Sequence, residues 1–168
     1  MTETPRVSVV VPAYNEGEHI VPVLDRIFES VRLQCEVLVV VDSPDDTTVP
    51  VVTAYAEKEP RLRCLVNTYG RGPANAIRFG IAAAAAGVAV VTMADGCDDP
   101  RQIDDLARLV HVAATSRQGA VFGQPRGSAA LPGVGTARTI EIAHIGNSKG
   151  DLQGCLPCPR TCGVSLAN

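Results

Sequence analysis

VAVVTMADGCDDP, residues 88–100, is the stretch whose reading decides the fold. Val88 to Met93 form a short apolar run rich in β-branched side chains, and the run stops abruptly at Asp95, Asp98 and Asp99. A run of this kind predicts a buried strand of a parallel sheet, and in open α/β sheets ligands collect just beyond the carboxyl ends of such strands. The acids are therefore expected where chemistry is done. Hard carboxylate oxygens grouped this way suit Mg²⁺ or Mn²⁺, ions that commonly reach protein sites together with substrate phosphates.

The same pattern extends upstream. Val7 to Val11 (VSVVV) and Val37 to Val41 (VLVVV) are near-continuous β-branched runs, as expected of strands covered on both faces. Between them Ile20, Val23, Leu24, Ile27, Phe28 and Val31 recur at helical spacing and make one apolar stripe. A second helix is predicted from Thr48 to Lys58, closing before Pro60, with a strand at Leu62 to Val66 after it. Gly72 and Pro73 then open a helix that buries Ala76, Ile77, Gly80, Ile81 and Ala84. Beyond the strand at Val88 to Met93, Asp99 and Pro100 read as N-cap and first residue of a helix whose Ile103, Leu106, Leu109 and Val110 point inward. Four strand-helix units in succession predict an α/β fold, a three-layer α/β/α arrangement around a mostly parallel sheet.

A chain of 168 residues, 46% hydrophobic and 20% charged, is sized for one domain with a real core. The net charge of −3 and the scarcity of aromatic residues give no basic patch or stacking platform for nucleic acid, so none is expected as a partner. The start MTETPRVSVV lacks the basic beginning, apolar centre and cleavage site of a secretory signal, which predicts a cytoplasmic chain. Gly80 to Met93, the longest weakly polar stretch, is shorter than the roughly 20 apolar residues of a membrane span. With no export signal, the six cysteines are expected as thiols rather than a disulfide framework.

Each predicted strand ends in a polar cluster on the same sheet edge: Pro12 to Glu16 (PAYNE), Asp42 to Asp46 (DSPDD), Asn67 to Arg78 (NTYGRGPANAIR) and Asp95 to Asp99. In a parallel sheet those ends lie side by side. In the third cluster Arg71, Asn75 and Arg78 recur at helical spacing, and Gly70 and Gly72 allow backbone N–H groups to turn toward an anion. That cluster reads equally as a solvated helix face, and it matches neither a Walker loop nor the dinucleotide fingerprint. Asp42 can accept hydrogen bonds from a base or ribose, or can serve the turn chemistry of Asp-Ser-Pro-Asp-Asp. Asp99 is most economically a helix cap, whereas Asp95 has no such local role.

After about Ala114 the character changes. Residues 119–168 are crowded with Gly, Pro, Ser and Cys, and one strand is predicted there, at Ala120 to Gly123. Cys155, Cys158 and Cys162 have a spacing that can chelate zinc, but a fourth ligand to close a tetrahedral set is not evident. His19, His111 and His144 are scattered and form no metalloprotease spacing.

Taken together and in order, VSVVVPAYNEGEHI (7–20), VVVDSPDDTT (39–48), NTYGRGPANAIRFGI (67–81) and VVTMADGCDDP (90–100) resemble the N-terminal half of a family 2 glycosyltransferase of the GT-A fold. The subgroup they resemble is the polyprenyl-phosphate sugar transferases, relatives of dolichol-phosphate mannosyltransferase. The resemblance implies inverting transfer of a sugar from a nucleoside diphosphate sugar to an acceptor, a lipid phosphate at the cytoplasmic membrane face, with Mg²⁺ or Mn²⁺ as cofactor. By position it implies that Pro12, Tyr14 and Glu16 line the nucleotide pocket, that Asp42 holds the base, and that Asp95 faces metal and diphosphate. Arg71 and Arg78 become phosphate contacts. The family's metal motif commonly reads Asp-Ala-Asp; here Met93 stands at the first acid, and Asp98 is the substitute metal ligand.

The likeness ends near residue 117, so residues 1–118 are expected to form the nucleotide-sugar-binding half-domain, incomplete at its C-terminus. Residues 119–168 are expected to be an atypical, loop-rich tail, the product of truncation or of a frame change in the coding DNA. Two other readings stay open: a nucleotide-sugar binding module without turnover, and a plain α/β scaffold whose strand-end acids serve caps and turns.

Overall fold

Strand β1 (Val7–Pro12) runs through the middle of the sheet, and every one of its residues is buried. The computed structural model describes residues 5–116 and 141–144. Around β1 lie β2 (Cys35–Val41), β3 (Leu62–Val66), β4 (Val88–Val91) and β5 (Glu141–His144), in the order β3-β2-β1-β4-β5. All four pairings are parallel, with Val9 opposite both Val37 and Val90. The valine-rich runs form central strands because β-branched side chains pack well on a pleated surface covered on both sides.

The helices divide between the two faces. Helices α1 (Ile20–Ser30), α2 (Thr48–Ala56) and α4 (Gln102–Ser116) cover one face, where Val7, Val9, Val11, Val37, Val39 and Val90 join Ile20, Leu24, Ile27, Val52 and Ile103 in one core. Helix α3 (Pro73–Ala83) covers the other, against Val10, Leu38, Val40, Ala89 and Val91. The alternation of the strands sends odd-numbered side chains of β1 and β2 to one layer and even-numbered ones to the other. In α1 the spacing of Ile20, Val23, Leu24 and Ile27 gives the buried stripe, and burying each such side chain contributes about 1.5–3 kcal/mol. The three-layer, parallel α/β architecture expected from the sequence is the one observed.

Helix α3 approaches the sheet unusually closely at Gly80. A Cβ placed there would lie 2.4 Å from Val10 Cγ1 and 3.0 Å from Val40 Cγ2, so only glycine permits this contact. At the amino edge of the sheet the interior is also polar. Ser8 Oγ donates to Glu36 Oε1 at 2.5 Å and accepts from the Ala86 N–H at 3.0 Å, while the Ala85 N–H donates to Glu36. Both side chains are buried, at 0% and 8% exposure, which their mutual bonding makes tolerable. On the other face the buried carboxylate of Asp104 accepts from the Arg32 and Leu33 N–H groups at 3.0 and 3.3 Å, fastening the end of α1 to α4.

Several expectations need correction. Strand β4 ends at Val91 instead of Met93, because Asp98 draws the Met93 N–H out of the ladder. Helix α2 stops at Ala56, short of Lys58. Leu109 is 66% exposed instead of inward, since Ile103 and Ala107 supply the buried face of α4. Strand β5 lies at 141–144, a segment without the long apolar run that marks the inner strands. The strand predicted at Ala120 to Gly123 and the cysteines at 155, 158 and 162 lie outside the described residues. Among the described residues Cys35, Cys64 and Cys97 form no disulfide, and burial pushes the thiols of Cys35 and Cys64 up. Among the described residues no helix is long and apolar enough to cross a membrane.

Candidate functional site

From β1 the chain moves to β2 and β3 on one side, then returns to place β4 on the other. A reversal of this kind marks the carboxyl ends of β1 and β4, the place where open α/β sheets bind ligands. Loops after β1, β2, β3 and β4 border that edge, and each carries one of the polar clusters read from the sequence.

The loop after β1 is locked in place by an acid from the loop after β2. Asp46, 5% exposed, accepts the Asn15 N–H at 3.1 and 3.0 Å and the Thr48 N–H at 2.8 Å. Thr48 Oγ1 accepts the Glu16 N–H at 3.0 Å. Those bonds hold Asn15 and Gly17 at φ of 54° and 53°, the left-handed region that favours glycine and tolerates asparagine. Asp46 also places a negative charge at the start of α2, where the helix dipole favours it. As a result Pro12 is buried at the strand end, Glu16 is half-buried, and Tyr14 stands 71% exposed above the sheet edge.

Asp42, at the end of β2, is tied to the loop after β3. Its Oδ1 accepts from Asn67 Nδ2 at 2.9 Å and its Oδ2 accepts the Gly72 N–H at 2.7 Å. Asn67 Nδ2 also donates to the Gly70 carbonyl at 2.6 Å, and Asn67 Oδ1 accepts the Tyr69 N–H at 2.8 Å. Gly70 and Gly72 do adopt positive φ, 103° and 113°, but the Gly72 N–H points at Asp42 and is not offered to an anion. Arg71 precedes α3 and Arg78 lies within it; both are exposed and neither forms an ion pair with a described residue. The Tyr69 ring meets Phe79 edge-on at 5.2 Å.

In the loop after β4 the three acids have separate positions. Asp95 is exposed and its Oδ1 accepts the Cys97 N–H at 3.0 Å, across a turn in which Gly96 has φ of 72°. Asp98 Oδ2 closes the loop by accepting from Thr92 Oγ1 at 3.0 Å and the Met93 N–H at 2.8 Å. Asp99 Oδ1 takes the Arg101 N–H at 3.1 Å just ahead of α4, the bonding of a helix cap, and its carboxylate also grips the Arg101 guanidinium. The hydrogen bonds from Arg101 hold the Asp99 carboxyl below its ordinary range, against a smaller opposing effect of burial. From α1, Arg26 reaches across to the Gly96 and Asp98 carbonyls at 2.8 and 3.2 Å.

The fold thus brings Pro12, Tyr14, Glu16, Asp42, Asp95 and Asp98 to one edge of the sheet, with Arg71 beside the Asp42 loop and Arg78 farther along α3. Among the described residues no three His, Cys, Asp or Glu side chains are grouped as a closed metal cage. A hard divalent ion still fits the donor set: Asp95 commits only Oδ1 to a described partner, leaving a second carboxylate oxygen in an exposed position. Three residues that position the loops had no individual role in the sequence reading: Asp46 and Asn67, each placed only within a polar cluster, and Arg26. Asp46 had a usable signal in its position just ahead of α2. Arg26, on the polar face of α1, had none.

A sequence model described as glycosyl transferase family 2 matches residues 8–163 of this chain. A dolichyl-phosphate beta-glucosyltransferase of Trichomonas vaginalis is 30% identical over 120 residues, covering 67% of this chain and 36% of its own length. A dolichyl-phosphate beta-glucosyltransferase of Dictyostelium discoideum is 27% identical over 126 residues, covering 69% of this chain and 38% of its own. The chain therefore spans little more than a third of these curated relatives. A mannosyltransferase of Pyrobaculum calidifontis, solved in complex with GDP-Man and Mn²⁺, shares 38% identity over 56% of this chain and 28% of its own, with a TM-score of 0.48.

Proposed function

The chain belongs to glycosyl transferase family 2, and from that premise we propose that the sheet edge at the carboxyl ends of β1 and β4 binds a nucleoside diphosphate sugar and delivers its sugar, with inversion, to a lipid-phosphate acceptor. The observation that carries this reading is the convergence of four polar strand ends on one edge, with Asp42 beyond β2 and Asp95 beyond β4 on opposite sides of β1. Tyr14, Pro12 and Glu16 line the nucleotide between them. Asp42, held by Asn67 and Gly72, turns its remaining lone pairs to the base, while Arg71 and Arg78 add positive charge for the phosphates.

Asp95 holds a divalent ion, Mg²⁺ or Mn²⁺, with Asp98 beside it as second carboxylate. When bound, such an ion offsets the charge that builds on the departing diphosphate. The chain's own residues bind and orient: Asp46 fixes the loop that carries Tyr14, and Asp98 fixes the loop that carries Asp95. Donor binding resides in residues 1–118, and the names of the dolichyl-phosphate relatives support a polyprenyl phosphate as acceptor.

A second reading, a donor-binding module without turnover, is favoured by Met93, which stands where the family commonly has the first acid of its metal motif. Two experiments separate the readings. A ligand bound only by the folded state stabilises it by about 2.7 kcal/mol at a hundred times its Kd, so UDP- or GDP-sugars with Mn²⁺ should raise the melting temperature. Stabilisation by neither donor refutes both. Release of nucleoside diphosphate on adding a polyprenyl phosphate then identifies a transferase, and donor binding without release identifies a module.

A further inference from the structure

Arg26 belongs to α1, yet its two terminal nitrogens bond to backbone carbonyls 70 and 72 residues away, those of Gly96 and Asp98. These two carbonyls flank Cys97, whose N–H is the described partner of Asp95 Oδ1 at 3.0 Å. The turn itself lies tightly on α1: a Cβ on Gly96 would come within 3.4 Å of Val23 Cγ2 and 3.6 Å of Arg26 Nη1. Asp98 closes the loop from the opposite side through Thr92 and Met93. The orientation of Asp95 therefore depends on a peptide segment gripped by a guanidinium from another layer of the fold.

Resting on the donor reading above, we infer that Arg26 is a positioning residue for metal-dependent donor binding: it fixes the Gly96–Asp98 turn and, through the Cys97 N–H, sets the direction of the Asp95 carboxylate. The planar fork of arginine suits this role, because two carbonyls on alternate residues are spanned by two donors in fixed relation, which a lysine ammonium on a flexible stem reproduces only in part. Residues that orient a metal ligand without touching the ion typically change metal affinity 10–100-fold when removed. Arg26 is exposed, so its loss should leave the core intact.

The test uses the full chain and its Arg26→Ala and Arg26→Lys variants, with UDP and GDP as probes, titrated with and without Mn²⁺. Arg26→Ala should lower the Mn²⁺-dependent gain in nucleotide affinity by about tenfold or more while leaving metal-free affinity unchanged, and Arg26→Lys should recover part of the gain. In the metal-free, nucleotide-free chain the Cys97 amide should exchange with deuterium faster in Arg26→Ala than in the wild type. A gain retained in full by Arg26→Ala, or an equal loss with and without Mn²⁺, overturns this inference alone. A wild-type chain whose affinity does not respond to Mn²⁺ overturns the metal reading and this inference with it.

Discussion

Replacing Gly80 by Ala sets two effects of known size against each other. In the middle of a helix, alanine is favoured over glycine by about 1 kcal/mol, so a position free of tertiary contact would gain stability. At Gly80 the new Cβ would meet Val10 Cγ1 at 2.4 Å and Val40 Cγ2 at 3.0 Å, whereas carbon atoms pack best at about 3.5–4.0 Å. Both valines are fully buried and stiff about χ1, so neither swings aside cheaply. Either α3 lifts from the sheet by about an ångström or β1 and β2 distort. Extra methylenes in a packed core commonly cost about 1–3 kcal/mol, and a contact this short belongs at the upper end. The expected net loss is about 1–2 kcal/mol, read as a lower urea midpoint. Val10→Ala removes the closest obstacle, so the double variant should be more stable than the sum of the two single effects by about 1 kcal/mol. A Gly80→Ala chain as stable as the wild type, or strict additivity with Val10→Ala, would refute the packing argument.

Asp46→Ala strands the Asn15 and Thr48 N–H groups, each costing about 1–3 kcal/mol, so chemical unfolding should show a loss of about 2–6 kcal/mol together with weakened nucleotide binding. Asp95→Asn, at an exposed position, should change the unfolding free energy by less than about 0.5 kcal/mol yet abolish the Mn²⁺-dependent part of donor binding in calorimetry. Ser8→Ala removes a donor to buried Glu36 and an acceptor of the Ala86 N–H, and should cost about 1–3 kcal/mol by the same unfolding assay. Burial, reinforced by the bond to Asp25, pushes the Tyr55 hydroxyl up to about 12 from an ordinary 10, so the folded state favours the protonated phenol. That contribution is complete below about pH 10 and is lost between about pH 10 and 12, and Tyr55→Phe should flatten the fall of melting temperature across that window.

The inner sheet was legible because its strands are runs of valine that have no reason to be anything else, and because α1, which joins two of them, carries an apolar stripe of period 3.6. Strand β5, outermost among the described strands, was not, because it lacks the long apolar run that marks β1, β2 and β4. The polar strand ends were equally plain as groups, but the partners within them were not. Asp42 and Gly72 are 30 residues apart and Asp46 and Asn15 are 31 apart, and the pairing becomes visible only when the strands are set side by side. Asp99 could be read as a cap because its partner is two residues away. Ser8 sits inside a run dominated by valine and Glu36 stands just ahead of another, and the bond that makes them tolerable crosses 28 residues of chain.

The position of β1 also has a consequence in time. Ser8 is bonded on one side to Glu36, 28 residues along, and on the other to Ala86, 78 residues along. The half of the sheet made by β1, β2 and β3 closes through comparatively local crossings, but β4 must return from much farther to dock against β1, and distant pairings form slowly because the entropy of closing the chain is met first. The edge proposed to bind the donor lies on that late seam. During synthesis the Tyr14 loop and Asp42 can be assembled while the residues that become β4 are still in the ribosome, and the face opposite them, with Asp95, arrives only when the long crossing is complete. Ligand added to a refolding chain should therefore accelerate none of the early steps and should capture only the last one.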